Sequence, residues 1–336
     1  MLKQHHDWNQ VARKAAVAIA ICGSVFATLV SCNKQNFALE QGNSSFGQKA
    51  SYITDVDILW VIDTSGSMAP RQEGLAAQVG GFVSKLNATR LNYHMAVTTM
   101  DMSSTGEKGR FIAQANSPFV LTSQTPNLVP LLQGRIRAGA TGSVLERGME
   151  SVKTALSAPA VTGANAGFLR KNSLLVVIFL SDENDKSASF DDVAFFDSIH
   201  PPLPYGDKSW VVQFLGVTPT DPSCKTTAWG YSEAGTRYID LANASGGAAE
   251  SICDNDFGRA LTNVNKRLTE LLVEFPLDRK PLVETIVVTV NGKIITKSEI
   301  DGWTYFEANN SIRFHGNAVP GPDSTINVDF EPEGLK

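Results

Sequence analysis

Between Asp55 and Phe275 the chain alternates short apolar runs with amphipathic stretches, a pattern typical of βαβ units around a parallel sheet. The run over 174–180 is apolar at every position, as expected of a central strand that helices cover on both faces. We therefore expect an α/β fold with a mostly parallel sheet. The predicted strands are 57–62, 93–98, 174–180 and 210–217, and the predicted helices are 72–86, 144–156, 191–197, 238–243 and 257–274.

The last predicted helix carries the clearest apolar stripe, with a spacing near 3.6 residues. Asp254, Asn255 and Asp256 stand just before it, where short side-chain oxygens cap free backbone amides. Cation binding is the alternative role for these three residues. Pro276 follows the helix and predicts its end.

After Pro276 the chain changes to short strand-like runs separated by Pro and Gly. Two of these runs flank Asn291-Gly292, a strong signal for a hairpin turn. Further strands are predicted at 304–306, 311–314 and 325–330. A β region of about sixty residues buries little core by itself. We therefore expect it to pack on the preceding domain, and it could borrow a strand from the segment before it.

The N-terminus has the pattern of a signal peptide. Lys3, Arg13 and Lys14 precede an uncharged apolar run over 15–30, which is short for a membrane-spanning helix. The run ends in Leu29-Val30-Ser31-Cys32, which resembles a bacterial lipobox. That resemblance implies cleavage before Cys32 and lipid on its thiol. An uncleaved anchor or an ordinary signal peptide is the alternative.

The residues after the lipobox bear on location and domain organisation. Asn33 is not the aspartate associated with inner-membrane retention, so we expect a lipid-anchored protein of the bacterial cell envelope, at the outer membrane. The polar Ser/Gly/Gln-rich residues that follow indicate a flexible tether. The predicted division is a signal peptide (1–31), a tether (32–51), an α/β domain (52–276) and a small β-rich region (277–336).

Cysteine content bears on a possible disulfide, and net charge narrows the possible classes of partner. Cys22 lies in the predicted signal peptide, so Cys224 and Cys253 are left as an isolated pair. In an oxidising compartment such a pair favours a disulfide over a metal site, with two free thiols as the alternative. Removal of residues 1–31 leaves 26 basic and 33 acidic residues, a net charge of −7. This balance argues against nucleic acid as a partner, and against membrane contact except through the lipid on Cys32.

Candidate chemistry is concentrated in Asp63-Thr64-Ser65-Gly66-Ser67, which directly follows the apolar run 58–62. In open α/β sheets, ligands bind outside the carboxyl ends of the strands. One carboxylate and two hydroxyls are hard oxygen donors that suit Mg²⁺, Mn²⁺ or Ca²⁺. An ordinary Asp/Ser/Gly turn is the alternative.

A second acidic turn follows the strand predicted at 174–180. Its Asp182 can reach the same crevice as Asp63 if the two strands are neighbours in the sheet. Asp185, in the same turn, could add charge to that crevice or cap the helix near Asp191.

The spacing Asp63-x-Ser65-x-Ser67 resembles the metal-ion-dependent adhesion site of von Willebrand factor type A domains. The resemblance covers 52–276 and implies a doubly wound α/β fold. It also implies that the two serines bind Mg²⁺ directly, with Mn²⁺ or Ca²⁺ as other options, while Asp63 and Asp182 act mainly through water. The family's threonine ligand falls within 139–149, where Thr141 and Ser143 are both candidates; capping of the next helix is the alternative for these hydroxyls.

The same resemblance implies a binding module rather than an enzyme, whose metal keeps a position open for an Asp or Glu of a partner protein. A phosphotransferase of the haloacid dehalogenase type is one alternative, but Ser65 stands where that family has its second aspartate. A seryl hydrolase lacks its Gly-x-Ser-x-Gly motif here. The remaining alternative is a structural envelope lipoprotein whose site holds no metal.

Overall fold

The computed structural model describes residues 46–51, 55–88, 91–201, 208–225, 233–320 and 324–334, all within one compact unit, Ser45–Lys336. The predicted signal peptide, Cys22, Cys32 and most of the predicted tether lie outside these residues. Within the described ranges, no helix combines the length and apolar character needed to cross a membrane.

The elements follow one another as helix–strand units and then as short strands. In chain order they are β1 (Phe46–Ser51), β2 (Asp55–Ile62), α1 (Ala69–Ala88), β3 (Asn92–Thr99), β4 (Leu121–Thr122), α2 (Leu128–Ile136), α3 (Gly148–Ala155), β5 (Leu174–Ser181), α4 (Asp192–Ile199), β6 (Trp210–Gly216), α5 (Thr236–Ala244), β7 (Ala248–Ser251), α6 (Phe257–Val273), β8 (Glu274–Pro276), β9 (Val287–Val290), β10 (Lys293–Ile295), β11 (Trp303–Phe306), β12 (Ser311–Phe314) and β13 (Thr325–Phe330).

The main sheet has six strands in the order β4-β3-β2-β5-β6-β7. All neighbouring pairs are parallel except β3 and β4. Every residue of β5 is buried, as its uninterrupted apolar run predicts. Alternate side chains of β2 enter different cores. Trp60 packs with residues of α1, α2 and α6, whereas Val61 packs with residues of α3, α4 and α5. Helices therefore cover both faces of the sheet.

Strand register places three loops at one edge of the sheet. Ile62, the last residue of β2, is level with Thr99 of β3 and Leu180 of β5. The chain leaves all three strands at this edge, which we call the carboxyl edge. Asp63 and Asp182 therefore follow adjacent strands, which is the condition under which the sequence predicted that they share one crevice.

Two helix predictions in this domain are corrected. The helix predicted from residue 144 begins at Gly148, because 139–147 is held as a loop by hydrogen bonds to neighbouring loops. Helix α2 was not predicted, since its nine residues contain Pro130 and Gly134. Pro130 lies in the first turn, where its missing amide proton costs no helical hydrogen bond.

The C-terminal strands form two antiparallel sheets, ordered β1-β13-β9-β10 and β11-β12-β8. They share a core of their own, which includes Val288, Ile312 and Phe330. The predicted turn at Asn291-Gly292 joins β9 to β10, and both turn residues have the positive φ that such a turn requires.

Strand β1 pairs along its whole length with β13. The C-terminal region thus takes a strand from the segment before the α/β domain. The predicted tether is corrected at its end, because 46–51 is a strand rather than flexible chain. Without β1, the edge of β13 would carry unpaired backbone N–H and C=O groups. Pairing with β1 satisfies these groups.

The predicted Cys224–Cys253 disulfide is present. It joins the segment after β6 to the segment after β7, and it closes a loop with a sequence separation of 29. Asp256 caps α6 through a hydrogen bond from the Arg259 amide (2.9 Å), which confirms the capping role for that residue.

Candidate metal centre

Asp63 occupies the centre of the carboxyl edge and is fully buried. The Ser65 amide donates to its Oδ1 (2.7 Å) and the Ser181 hydroxyl donates to its Oδ2 (2.7 Å). Burial nevertheless raises the pKa of Asp63 to about 6, and the nearby charge of Asp182 adds to the rise. The turn therefore fixes the carboxylate with neutral donors and leaves its charge largely unbalanced.

The two predicted serines lie beside each other on the turn that follows. The hydroxyl oxygens of Ser65 and Ser67 are 3.1 Å apart. Ser65 is buried and Ser67 is exposed, so the pair reaches from the interior to the surface. Two hydroxyls at this spacing can face one small cation.

Asp182 completes the predicted group from the next strand. It is 6 % exposed, and its Oδ1 has no hydrogen-bond partner among the described residues. Burial raises the pKa of Asp182, while the Ser67 hydroxyl and the charge of Arg71 oppose the rise. The structure thus brings together the predicted Asp63, Ser65, Ser67 and Asp182.

The loop at 139–147 is held against this group by backbone and amide contacts. The Gln72 side chain donates to the carbonyls of Asp63 and Gly139, at 2.7 Å each. The Gly142 amide donates to the Thr64 carbonyl (2.9 Å). A Cβ at residue 142 would lie 2.1 Å from the Thr64 hydroxyl oxygen, so only glycine permits this approach.

Neither predicted hydroxyl of this loop joins the group through a contact in the described part of the chain. Thr141 is exposed. The Ser143 hydroxyl accepts a hydrogen bond from the Leu145 amide (3.0 Å), while the Ser143 amide donates to Asp101 Oδ2 (3.2 Å). Ser143 therefore stabilises a turn within its own loop and does not cap α3, which begins five residues later.

Glu146, which the sequence did not single out, lies in this loop close enough to Asp63 for their charges to interact. It is 2 % exposed, and its carboxyl lies within hydrogen-bonding reach of the Glu183 carboxyl. Burial first, then the charge of Asp63 and the charge and hydrogen bond of Glu183, raise the pKa of Glu146 to about 8, so this acid keeps its proton at neutral pH. Acidic residues in loops are usually exposed to water. The sequence around Glu146 therefore does not indicate that this residue is buried.

Asp185 is engaged elsewhere. Its Oδ1 accepts from the Met149 amide (3.1 Å) and the Tyr238 hydroxyl (3.0 Å), and its Oδ2 accepts from Arg237 (2.8 Å). It therefore caps α3, not the helix near Asp191 as one prediction had it. Asp191 itself caps α4 through the Ala194 amide (2.9 Å).

The donors at the carboxyl edge fit a hard divalent cation. They are carboxylate and hydroxyl oxygens without nitrogen or sulfur, the set that Mg²⁺, Mn²⁺ and Ca²⁺ prefer. Burying several ionised acids near one another is costly unless they bind protons or a cation balances them. The oxygen without a partner on Asp182 is the observation that favours such an ion.

Comparisons with known proteins leave the family open. No family model and no curated protein matches the chain. A similar solved structure is the pilus adhesin SpaC from Lactobacillus rhamnosus GG, with 13 % identity, a TM-score of 0.41, and coverage of 85 % of this chain and 41 % of SpaC. Another is proximal thread matrix protein 1 from the mussel byssus, with 11 % identity, a TM-score of 0.40, and coverage of 69 % and 51 %.

A third is the pilus adhesin RrgA from Streptococcus pneumoniae, with 10 % identity, a TM-score of 0.32, and coverage of 85 % of this chain and 58 % of RrgA. The matched part of this chain therefore spans between 41 % and 58 % of the length of these structures. Likenesses at this distance carry no argument about what the chain binds.

Proposed function

We propose that this chain is a lipid-anchored binding module of the von Willebrand factor type A kind. In this proposal a divalent cation, Mg²⁺ first, is held by Ser65 and Ser67 directly and by Asp63 and Asp182 mainly through water. Such an ion attracts a carboxylate, and the chain uses it to bind an Asp or Glu of a partner protein.

One observation carries the proposal: four oxygen-bearing side chains from two separate turns converge, and a buried oxygen among them has no partner. That oxygen is Asp182 Oδ1, in the described part of the chain. The hydrogen bonds to Asp63 come from an amide and a hydroxyl, and no salt bridge to it is found among the described residues. A bound cation would balance both acids.

The proposed location rests on the lipobox, with lipid on Cys32 and an address at the outer membrane. The Cys224–Cys253 disulfide supports export, because such bonds persist in oxidising compartments. The net charge of −7 after residue 31, from 26 basic and 33 acidic residues, supports a protein partner over nucleic acid.

Thermal unfolding of the full-length chain, purified in detergent, tests the metal site. A ligand at about 100 times its Kd stabilises the folded state by about 2.7 kcal/mol. For a chain of this size we expect Mg²⁺ or Mn²⁺ to raise Tm by roughly 5–11 °C over EDTA. Asp63→Ala and the double variant Ser65→Ala/Ser67→Ala should lose this rise.

A matched control is Ser103→Ala/Thr105→Ala, which removes two hydroxyls 3.3 Å apart from an exposed turn after β3. Its response to metal should equal that of the unmodified chain. A Tm that no divalent ion changes would contradict the proposal. So would a rise that persists in both site variants.

Partner binding is tested with the immobilised chain and an envelope extract, in Mg²⁺ and in EDTA. We expect at least one protein to be retained only in Mg²⁺, and not by Ser65→Ala/Ser67→Ala. Retention of the same proteins regardless of metal and of the two serines would contradict a metal-mediated contact.

A further inference from the structure

The loop at 139–147 exposes two large apolar side chains next to each other, which we call the apolar pair. Val144 is 74 % exposed and Leu145 is 57 % exposed. Single exposed apolar residues are normal on a protein surface, whereas clustered ones mark candidate contacts with another molecule. In the part of the chain that the structure describes, the other exposed large apolar residues stand singly in the sequence: Phe119, Leu282, Val287, Ile294, Ile300 and Phe306.

Hydrogen bonds on both sides hold the apolar pair outside. The Ser143 amide donates to Asp101 Oδ2 (3.2 Å), and the Leu145 amide donates to the Ser143 hydroxyl (3.0 Å). After the pair, the Arg147 amide donates to the first carbonyl beyond β3 (3.1 Å). The backbone fixed in this way buries Glu146 and turns the aliphatic side chains outward, which is the reverse of ordinary partitioning.

The apolar pair lies beside the turn at 64–67. The Gly142 amide donates to the Thr64 carbonyl (2.9 Å), so the loop touches this turn directly. The two apolar residues follow Gly142 by two and three positions, so their Cα atoms lie within about 11 Å of it. One bound molecule can therefore contact the apolar pair and reach the hydroxyls of Ser65 and Ser67.

The basic side chains next to the apolar pair are bound to acids of this chain. The Arg147 Nε donates to Glu150 (2.7 Å). The Lys186 amide donates to the carbonyl of the residue that follows the pair (2.7 Å), while its ammonium pairs with Glu233. A carboxylate that approaches this surface is therefore attracted by the proposed cation rather than by these side chains.

We propose that Val144 and Leu145 form the apolar part of the partner-binding surface, and that the partner is a protein segment with a large apolar residue within three positions of its Asp or Glu. This inference rests on the proposed function and deepens it, because it adds a second feature by which the partner is recognised. The cation binds the carboxylate, and the apolar pair buries the neighbouring side chain. Three residues of extended chain span up to about 11 Å, which matches the reach of the loop from Gly142.

Peptide selection on the full-length chain in lipid nanodiscs tests this inference. The probe is a phage-displayed library of nonapeptides with Asp at the centre and random residues elsewhere, and a second library has Asn at the centre. Binding in Mg²⁺ and elution with EDTA recover the peptides that the metal holds. We expect at least tenfold better recovery from the Asp library, with Leu, Ile, Val, Phe or Met enriched within three positions of the Asp.

Substitution of the apolar pair should remove this enrichment. On Val144→Ser/Leu145→Ser the preference for Asp over Asn should remain, and the Kd of a selected synthetic peptide should rise at least tenfold. The matched control Ile294→Ser/Ile300→Ser removes side chains that are 67 % and 77 % exposed in the C-terminal region, and its Kd should stay within twofold. Tm in EDTA and in Mg²⁺ establishes that each variant is folded and binds the metal.

The outcomes separate this inference from the proposed function. If neither library is recovered, or both are recovered equally, both proposals are overturned. If the Asp library is preferred without apolar enrichment, or with the same enrichment on Val144→Ser/Leu145→Ser, the proposed function stands and the role of the apolar pair is overturned. A dimer of the unmodified chain that this variant dissociates, measured by analytical ultracentrifugation in detergent, would assign the pair to a second copy and also overturn the inference.

Discussion

The two ends of β2 each carry a fully buried aspartate, and the two are balanced differently. At the first end, Asp57 accepts from the Arg170 amide and Nε, both at 2.7 Å, and from the Ser173 hydroxyl at 2.6 Å. At the other end, Asp63 accepts from neutral groups of Ser65 and Ser181, and no salt bridge to it is found among the described residues.

Whether a basic side chain pairs with a buried acid distinguishes a structural aspartate from a candidate ligand on the same strand. A guanidinium neutralises Asp57 inside the protein, so that end of the sheet is electrostatically complete. Asp63 lies beside Asp182, and among the described residues no salt bridge reaches Asp63. The buried acids at the carboxyl edge thus form a site suited to a bound cation. This difference from Asp57 is the basis of our proposal.

The largest effect is expected from breaking the Asp57 pair. Arg170→Ala leaves a fully buried carboxylate without its cation, and loss of one partner of such a pair costs about 3–5 kcal/mol. Urea unfolding in EDTA and in Mg²⁺ should show the same loss. A loss below about 1 kcal/mol, or one that Mg²⁺ reverses, would show that the two ends do not differ as described.

Neutralising Asp63 should raise the free energy of unfolding in EDTA, whereas breaking the Asp57 pair lowers it. The pKa of Asp63 is raised from 3.8 to about 6, so the folded state binds a proton more tightly than the unfolded state. The charged form therefore lowers stability at neutral pH, by about 3 kcal/mol at most. Asp63→Asn should be more stable than the unmodified chain at pH 7.

The same variant has a pH signature. Its advantage should shrink as pH falls from about 6, and be small at pH 4, because the folded-state Asp63 is then protonated and the unfolded-state group, of pKa 3.8, is close to its own titration. Urea unfolding at pH 4, 5.5 and 7 measures this. A destabilised Asp63→Asn at pH 7 in EDTA would mean that Asp63 is as well balanced as Asp57.

The stability gained from Mg²⁺ should differ between variants of Asp57 and Asp63. Asp57→Asn should lose stability yet keep the full gain from saturating Mg²⁺, about 2.7 kcal/mol at 100 times Kd. Asp63→Asn should show a gain close to zero. Equal responses in the two variants would place the metal somewhere other than the carboxyl edge.

The smallest effect concerns His200, which lies near Asp57. Its Nδ1 is 2.7 Å from the Ser209 hydroxyl oxygen, and burial lowers the pKa of His200 below its ordinary value. The unfolded state therefore binds the proton more readily, so stability is lost as pH falls below about 6.5. His200→Gln should have a flatter stability profile from pH 7 to 5, and an unchanged profile would refute this.

Local patterns predicted most of the fold. Strands β2, β3, β5 and β6 were each predicted within one or two residues, since their apolar runs are continuous and bounded by polar turns. The hairpin at Asn291-Gly292 and the Cys224–Cys253 bond also followed from local signals. Helix α2 was missed because Pro130 and Gly134 mask its periodicity.

The site was predictable where its residues follow a strand directly, and not where a loop brings them in. Asp63, Ser65, Ser67 and Asp182 occupy fixed positions after β2 and β5, so their convergence follows from the parallel sheet. Glu146 arrives on a loop whose path depends on Gly142 and Gln72. The Asp57–Arg170 pair likewise joins residues 113 apart, which no local pattern reveals.

The central claim is that the charge left unbalanced at the carboxyl edge is balanced by a bound divalent cation. Equilibrium dialysis of the full-length chain against Mg²⁺, followed by metal analysis, tests it most directly. We predict one Mg²⁺ per chain in the unmodified protein and in Asp57→Asn, and none in Asp63→Ala. Absence of bound Mg²⁺ in the unmodified chain, or its retention in Asp63→Ala, would contradict the account.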